Sequence, residues 1–524
     1  MSARPNVLLL LSDEHSFRFM GHVSEEEGGE PAHTPNFDDL ASNGTRFSAA
    51  YCQVAVCTPS RISMLTGLES RESGAWWNDS VLRPELPTLP AVLAKAGYET
   101  CLVGKMHLGG RNQFAGFHHR PYGDLTGETG HQWEPLDSRE TGPYEMRVRT
   151  AGAGVSEIPE SQMQEAIVVE EGLSFVREQA AEKPEQPWFL CLSFSRPHFP
   201  LTAPKRHFSR YWPEGATPPR VGPHGDAFDH PLSRGMREGF RVEEISEEES
   251  LRARAGYFAC VTYLDEIAGD LLARLEREGH LENTVVIYTS DHGEMAGEHG
   301  VWWKQGWYEG CTRVPLLMSL PEQRSGEGKH GTIRTPVALT DLFPTICSLT
   351  GTDCPADIHG RDLSAAVRSG NEPEERPVVC DNLVPRWGEG TEFRMVRWGK
   401  YKYVRFRDAA NLLFDLAEDP DEQRNLVDSD DPDVTDALER LEAFVRETMD
   451  FAAAEQERTE RDGELAQQYR LEVEAPATGN LYLMPSGRLV NAEDVLYNQT
   501  VVLERPNEVL IGKPDDSSES EGRS

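Results

Sequence analysis

The chain lacks any apolar run approaching the roughly 20 residues that a membrane span needs, and its 524 residues are only 38% hydrophobic and 8% aromatic. No membrane partner is expected. The one apolar stretch near the start, Val7 to Leu11, stops at Ser12-Asp13-Glu14 with no cleavage pattern behind it. It reads as a strand rather than a signal peptide, so a cytoplasmic location is expected. Lysine is scarce: nine of the 52 basic residues are lysine, against 88 acids and a net charge of −36. The acids are spread along the whole chain, which excludes a basic footprint for nucleic acid. An acid-rich, lysine-poor surface suits concentrated salt, where a Debye length of about 3 Å near molar salt screens self-repulsion. A halophilic source is therefore expected. Nine cysteines (52, 57, 101, 191, 260, 311, 347, 354, 380) are odd in number and form no C-x-x-C pair, which excludes a disulfide framework and a zinc ribbon. No internal repeat is evident.

What is present is strand and helix in alternation. Four short apolar runs, Asn6 to Leu11, Tyr98 to Val103, Trp188 to Phe194 and Thr284 to Thr289, lack period-two alternation, as strands buried on both faces of a parallel sheet do. Between them lie helical segments stopped by Gly44, Gly97 and Gly279. The expected fold is α/β: a large, mixed, mostly parallel sheet sandwiched by helices, with a smaller C-terminal α+β subdomain of antiparallel sheet plus helix. The boundaries expected are 1–375 for the catalytic α/β domain, 376–470 for the subdomain, 471–513 for an extension able to pair with a neighbouring subunit, and 514–524 for a disordered acidic tail. Segments 110–160 and 205–250 are rich in Gly, Pro and His and are expected to be long loops over a site.

Each apolar run ends in chemistry. Asp13-Glu14 closes the first, Lys105 and His107 follow the second, His198 the third, and Asp291-His292 the fourth. Ligands of open α/β sheets bind beyond the carboxyl ends of the strands, so the four endings point at one shared site. Asp13, Glu14, Asp291 and His292 offer three carboxylates and an imidazole, a divalent-cation set that favours Ca²⁺ or Mg²⁺ and leaves Mn²⁺ open. Cys57 lies in VCTPSRISMLTG, where Thr58 is expected to cap a short helix and Pro59 to occupy its first turn. The helix N-terminus would then face an anion beside Cys57. Lys105, His107, His198 and Lys304 add cations and donors, completing a pocket for a tetrahedral oxyanion such as sulfate or phosphate. The ordinary alternatives are a buried helix-start cysteine for Cys57, a turn cap for Asp13-Glu14, a loop imidazole for His198 and a turn residue for Asn78. Trp76, Trp77, Trp302, Trp303 and Trp307 flank these motifs and read chiefly as packing.

C-T-P-S-R with Leu-Thr-Gly beyond it, NVLLLLSDE, GKMHLG, SDHGE, Lys304 and LLFDLAEDPDEQRNL, in this order from about Asn6 to Leu426, resemble the type I sulfatases of the alkaline-phosphatase superfamily. The surroundings of GKMHLGG and HGEMAGEHGVWWK are closer to choline-sulfatase-like and carbohydrate-sulfatase branches. The resemblance implies a sulfuric ester hydrolase in which a formylglycine-generating enzyme oxidises Cys57 to Cα-formylglycine. It implies that Asp13, Glu14, Asp291, His292 and residue 57 hold calcium, and that Arg61 and His107 hold the hydrate. By the same resemblance Lys105 and Lys304 clamp sulfate oxygens, His198 donates to the leaving oxygen, and Asn78 contacts the sulfate. The implied substrate is a sulfated small molecule or carbohydrate. A phosphonate monoester or phosphodiester hydrolase on the same site, or a binding protein with unmodified Cys57, are the alternatives. Glu14 stands where the family usually has Asp, Asn or Gln, and His292 where many members have Asn.

Overall fold

The computed structural model describes residues 4–78, 80–109, 112–123, 150–473, 481–483 and 489–491. The central sheet contains β1 (Asn6–Asp13), β2 (Thr45–Tyr51), β3 (Glu99–Gly104), β4 (His119–Tyr122), β5 (Trp188–Pro197), β6 (Thr284–Ser290), β7 (Arg313–Ser319), β8 (Gly331–Ile333) and β9 (Val337–Ala338). Their order is β8-β2-β7-β6-β1-β5-β3-β4, with β9 also on β2. Strands β6, β1, β5, β3 and β4 run parallel to one another, and β7 runs against both β6 and β2. β1 is the hub: Leu8 faces Leu190 on one side and Val286 on the other. Period two then sorts its side chains to opposite faces. Val7, Leu9 and Leu11 enter one core and Leu8 and Leu10 a second. Burying each such leucine is worth about 1.5–3 kcal/mol.

Helices cover both faces, from α1 (Pro35–Ser42), α2 (Cys57–Thr66) and α3 (Leu89–Lys95) to α4 (Gln164–Glu182), α5 (Pro231–Gly239) and α6 (Glu247–Arg277). α4 and α6 supply Val168, Leu173, Leu264 and Leu271 to the second core, while α2 and α3 supply Ile62, Leu65 and Leu93 to the first. The fold is the mixed, mostly parallel α/β sandwich expected. A separate antiparallel sheet, β10 (Val378–Asn382), β11 (Phe393–Trp398), β12 (Tyr401–Phe406) and β13 (Leu412–Asp415), runs in chain order, followed by α7 (Pro432–Thr448) and α8 (Phe451–Val473).

Several expectations change. α6, the helix expected to stop at Gly279, begins as early as Glu247, because Ser246 caps it by accepting the Glu249 amide, and its polar first turns carry no apolar signal. Segment 205–250 is not simply loop: it contains Lys205–Tyr211 and α5. β2 and β7 were not expected, and neither was α8. The tail 514–524, residues 124–149 and most of the extension after 473 lie outside the described residues.

Candidate active site

Because β1, β3, β5 and β6 are parallel, their carboxyl ends open on one edge, and the chain delivers a charged group from each. Gly104 ends β3 with φ 94°. A Cβ there would lie 2.0 Å from the Ser193 carbonyl oxygen, so only glycine permits the turn that presents Lys105. Asp13 is fully buried, and its Oδ2 receives Lys105 Nζ at 2.8 Å and Arg61 Nη2 at 2.8 Å. Arg61 Nε donates to Asp291 Oδ2 at 2.7 Å, and Nη1 donates to the Lys105 carbonyl and Ser193 Oγ. Arg61 thus fixes the two strand-end aspartates together, its guanidinium donating to Asp291, Asp13, Ser193 and the Lys105 carbonyl. Asp291 Oδ1 accepts the amides of Glu14 and His292.

Cys57 Sγ lies 3.2 Å from Lys304 Nζ, 3.3 Å from His292 Nε2 and 3.8 Å from Asp13 Oδ1. Burial alone would push its thiol up, but Lys304, Lys105, His292 and a hydrogen bond from His107 outweigh burial and hold it well below the usual thiol range. Burial likewise works against charge on Asp13, yet Lys105, His198 and Arg61 keep that carboxyl low. Asp291 goes the other way: burial pushes it up to about 6 despite Arg61. Lys304 stays charged, since Cys57, Glu14 and Asp13 more than offset its desolvation.

The donor set fits a cation. Ligand-type atoms of Asp13, Cys57, Asp291 and His292 all lie within 4.8 Å of one another, as do those of Asp13, Glu14 and His198. His292 Nδ1 bonds the Gly293 carbonyl at 2.9 Å, which leaves the Nε2 lone pair facing the group. Both Glu14 carboxylate oxygens are buried without a hydrogen-bond donor; Lys304 Nζ and His198 Nε2 approach one of them at 3.3 and 3.4 Å. A divalent ion satisfies such a carboxylate. Glu14 is held with φ 66° by the Tyr257 hydroxyl, which donates to its carbonyl at 2.6 Å.

The helix start differs from expectation. Cys57 itself begins α2, Val56 is the N-cap, and no side chain of the N-cap residue caps the helix. Thr58 Oγ1 instead donates to the carbonyls of Asn78 and His107. Asn78 Oδ1 accepts the Thr58 amide at 3.1 Å, Pro59 has no N–H, and the Ser60 amide bonds the Val56 carbonyl. The amides of residues 58–60 therefore offer no donor to an anion, and the helix contributes its dipole, about half a unit charge. Trp76, Trp77, Trp302, Trp303 and Trp307 are all buried, as packing requires.

Sequence reasoning missed Glu294. It is 3% exposed, and its Oε1 accepts the amides of Ala296 and Trp303 at 2.8 and 2.7 Å. It closes the loop between His292 and Lys304, in which Ala296, His299 and Trp303 have φ of 49°, 55° and 74°. The signal available was its place in SDHGEM, one residue past the glycine.

Residues 5–352 match the model of the sulfatase family, and residues 297–449 match that of the N-sulphoglucosamine sulphohydrolase C-terminal region. The chain is 30% identical to a choline-sulfatase of Rhizobium meliloti over 82% of this chain and 83% of the relative. It is 29% identical to an arylsulfatase of Clostridium perfringens, covering 82% and 91%. Among solved structures, phosphonate monoester hydrolase of Agrobacterium radiobacter superposes with a TM-score of 0.70 at 25% identity, covering 85% of this chain and 96% of that one. The matched family region holds all four strand ends and Cys57, and with them the chain belongs to the sulfatase family as a sulfuric ester hydrolase.

Proposed function

We propose that the enzyme hydrolyses the sulfate ester of a small molecule or carbohydrate, using Cys57 after its conversion to Cα-formylglycine by a formylglycine-generating enzyme, with calcium held by Asp13, Glu14, Asp291, His292 and residue 57. The observation that carries this reading is the buried set Asp13, Cys57, Asp291 and His292 within 4.8 Å. The ion would supply Lewis acidity, and the hydrated aldehyde a nucleophilic hydroxyl. Around them the chain's own residues divide the work. Lys105 and Lys304 present ammonium groups to sulfate oxygens, and the same positive field that depresses the Cys57 thiol stabilises any oxyanion at that place. His107 orients residue 57. His198 commits Nδ1–H to the Phe199 carbonyl at 2.9 Å, so Nε2 is the atom that carries a proton to the leaving alcohol oxygen. Arg61 keeps Asp13 and Asp291 at fixed spacing, and Asn78, with its oxygen on the Thr58 amide, retains its NH₂ for the sulfate.

Three measurements test this. The tryptic peptide containing Cys57, from protein co-expressed with the modifying enzyme, loses mass as CH₂SH becomes CHO; thiol alone in active protein would defeat the mechanism. Chelation lowers turnover and thermal midpoint together, and Ca²⁺ restores both. Comparing aryl sulfate with aryl phosphonate monoester at matched pH separates this reading from that of the phosphonate hydrolase relative.

A further inference from the structure

Among the carboxylates of the site, Glu14 has the most demanding backbone. Its φ of 66° lies in the left-handed region, where a long side chain is disfavoured unless the surroundings hold it there. Two bonds do so, one on each side of its Cα. The Glu14 amide donates to Asp291 Oδ1 at 3.1 Å, just past β6, and the Glu14 carbonyl accepts the Tyr257 hydroxyl at 2.6 Å, from within α6. The same hydroxyl oxygen accepts the Ser16 amide at 3.0 Å. A phenol has one proton to give and lone pairs to receive, so Tyr257 uses both capacities to clasp the turn Glu14–Ser16. Tyr257 is 1% exposed, and its ring meets Phe19 edge-on with centroids 4.6 Å apart, which fixes the direction of the phenol.

His15, in the middle of the turn, is held from the strand side. Its amide donates to Ser290 Oγ at 2.9 Å, and that hydroxyl donates to the His292 carbonyl at 2.9 Å. His15 Nε2–H donates to the Phe19 carbonyl at 3.1 Å, so Nδ1 accepts from the Tyr288 hydroxyl at 2.5 Å. The Tyr257 hydroxyl is the contribution of the helix layer.

The Glu14 side chain needs such a backbone. Both of its carboxylate oxygens are buried without a hydrogen-bond donor, so no bond of its own steers the carboxylate. Its place beside Asp13 and His198 follows from the direction of the Cα–Cβ bond, which the amide and carbonyl on either side determine.

We propose that Tyr257 is a positioning residue for the metal centre: its hydroxyl fixes the Glu14 peptide so that the carboxylate is aimed beside Asp13 before an ion binds. The inference rests on the metal-dependent reading above and assigns to α6 a part in it. Partners that orient a ligand in this way commonly govern metal affinity as strongly as the ligands do.

The test uses full-length, formylglycine-bearing protein with modification quantified by mass. Y257F removes the hydroxyl and keeps the ring. Y211F is the matched control: the Tyr211 hydroxyl is also buried against α6, pairing with Thr262 Oγ1 at 2.7 Å and accepting the His33 amide at 3.0 Å. Each protein is stripped by chelation, its melting temperature is measured, and Ca²⁺ is titrated by calorimetry. Both variants should melt below wild type in the stripped state. Y257F should bind Ca²⁺ roughly 10–100-fold more weakly, whereas Y211F should stay within about twofold of wild type. With 4-nitrophenyl sulfate, Y257F should need correspondingly more Ca²⁺ for half-maximal rate, while KM for the ester at saturating Ca²⁺ stays that of wild type. Equal Ca²⁺ affinity in Y257F and wild type, or equal weakening in Y257F and Y211F, overturns this inference alone. Wild type that turns over the ester without taking up Ca²⁺, Mg²⁺ or Mn²⁺ overturns the metal-dependent reading and this inference with it.

Discussion

Arg61 Nε meets Asp291 Oδ2 at 2.7 Å with both side chains wholly buried, and the far edge of the same guanidinium holds Asp13. Two aspartates from different strands are thereby kept as a pair by one planar cation. Lysine offers a point charge and cannot span both. R61K is expected to lower metal affinity roughly 10–100-fold, read by calcium titration. R61A should cost roughly 3–5 kcal/mol of stability by taking the guanidinium from the buried Asp291 carboxylate, while Asp13 keeps Lys105, read by denaturant unfolding.

Cys57→Ala should abolish aryl sulfate turnover while leaving the melting temperature close to wild type, since a small buried thiol is replaced by a smaller apolar group. On the proposed mechanism Cys57→Ser should be equally inactive over repeated turnovers, because a serine ester would lack the second hydroxyl whose deprotonation expels sulfate. Burst and steady-state assays distinguish the two variants.

Glu294→Ala removes the acceptor shared by the Ala296 and Trp303 amides, and each orphaned buried N–H costs about 1–3 kcal/mol. Glutamine keeps an oxygen acceptor there. E294Q is therefore expected to retain most stability and activity, and E294A to lose kcat more than KM, because the displaced loop carries Lys304. Equal behaviour of the two variants in steady-state kinetics would refute this role.

Lys402 is fully buried between Glu309 Oε1 at 3.0 Å and Glu422 Oε1 at 2.7 Å, tying β12 to the segment that follows Lys304. Burial pushes Glu309 up, but Lys402, Arg313 and Arg397 bring it down to about 2. A carboxyl lowered on folding contributes stability that is complete above its unfolded value near 4.5 and is lost as pH falls toward about 2. Acid unfolding should therefore steepen across that window. K402M should destabilise by roughly 3–5 kcal/mol and flatten the acid response.

The net charge of −36 predicts that added KCl raises the melting temperature well past the screening of ordinary surface pairs. A midpoint independent of salt between dilute and molar KCl would contradict a halophilic origin.

The parts legible in sequence were those governed by local rules. β1, β3, β5 and β6 announce themselves as uninterrupted apolar runs because both faces are buried, and their polar endings mark the sheet edge where Asp13, Lys105, His198 and Asp291 meet. β2 and β7 did not, since TRFSAAY mixes charge with small residues and RVPLLMS carries a proline at 315. The start of α2 was misread for another reason. Thr58 has the side chain of a cap, but the Asn78 and His107 carbonyls, 20 and 49 residues away, claim its hydroxyl. Glu294 was passed over because its partners are backbone amides, which leave no signature in side-chain spacing.

All ten residues of α2 are buried, and Cys57 is 1% exposed. On the proposed reading a modifying enzyme has to reach this segment, which the native packing of α2 denies it. Conversion of Cys57 would then precede closure of the fold, and the active fraction of a preparation would follow the order of events in synthesis rather than the affinity of the finished protein for any ligand.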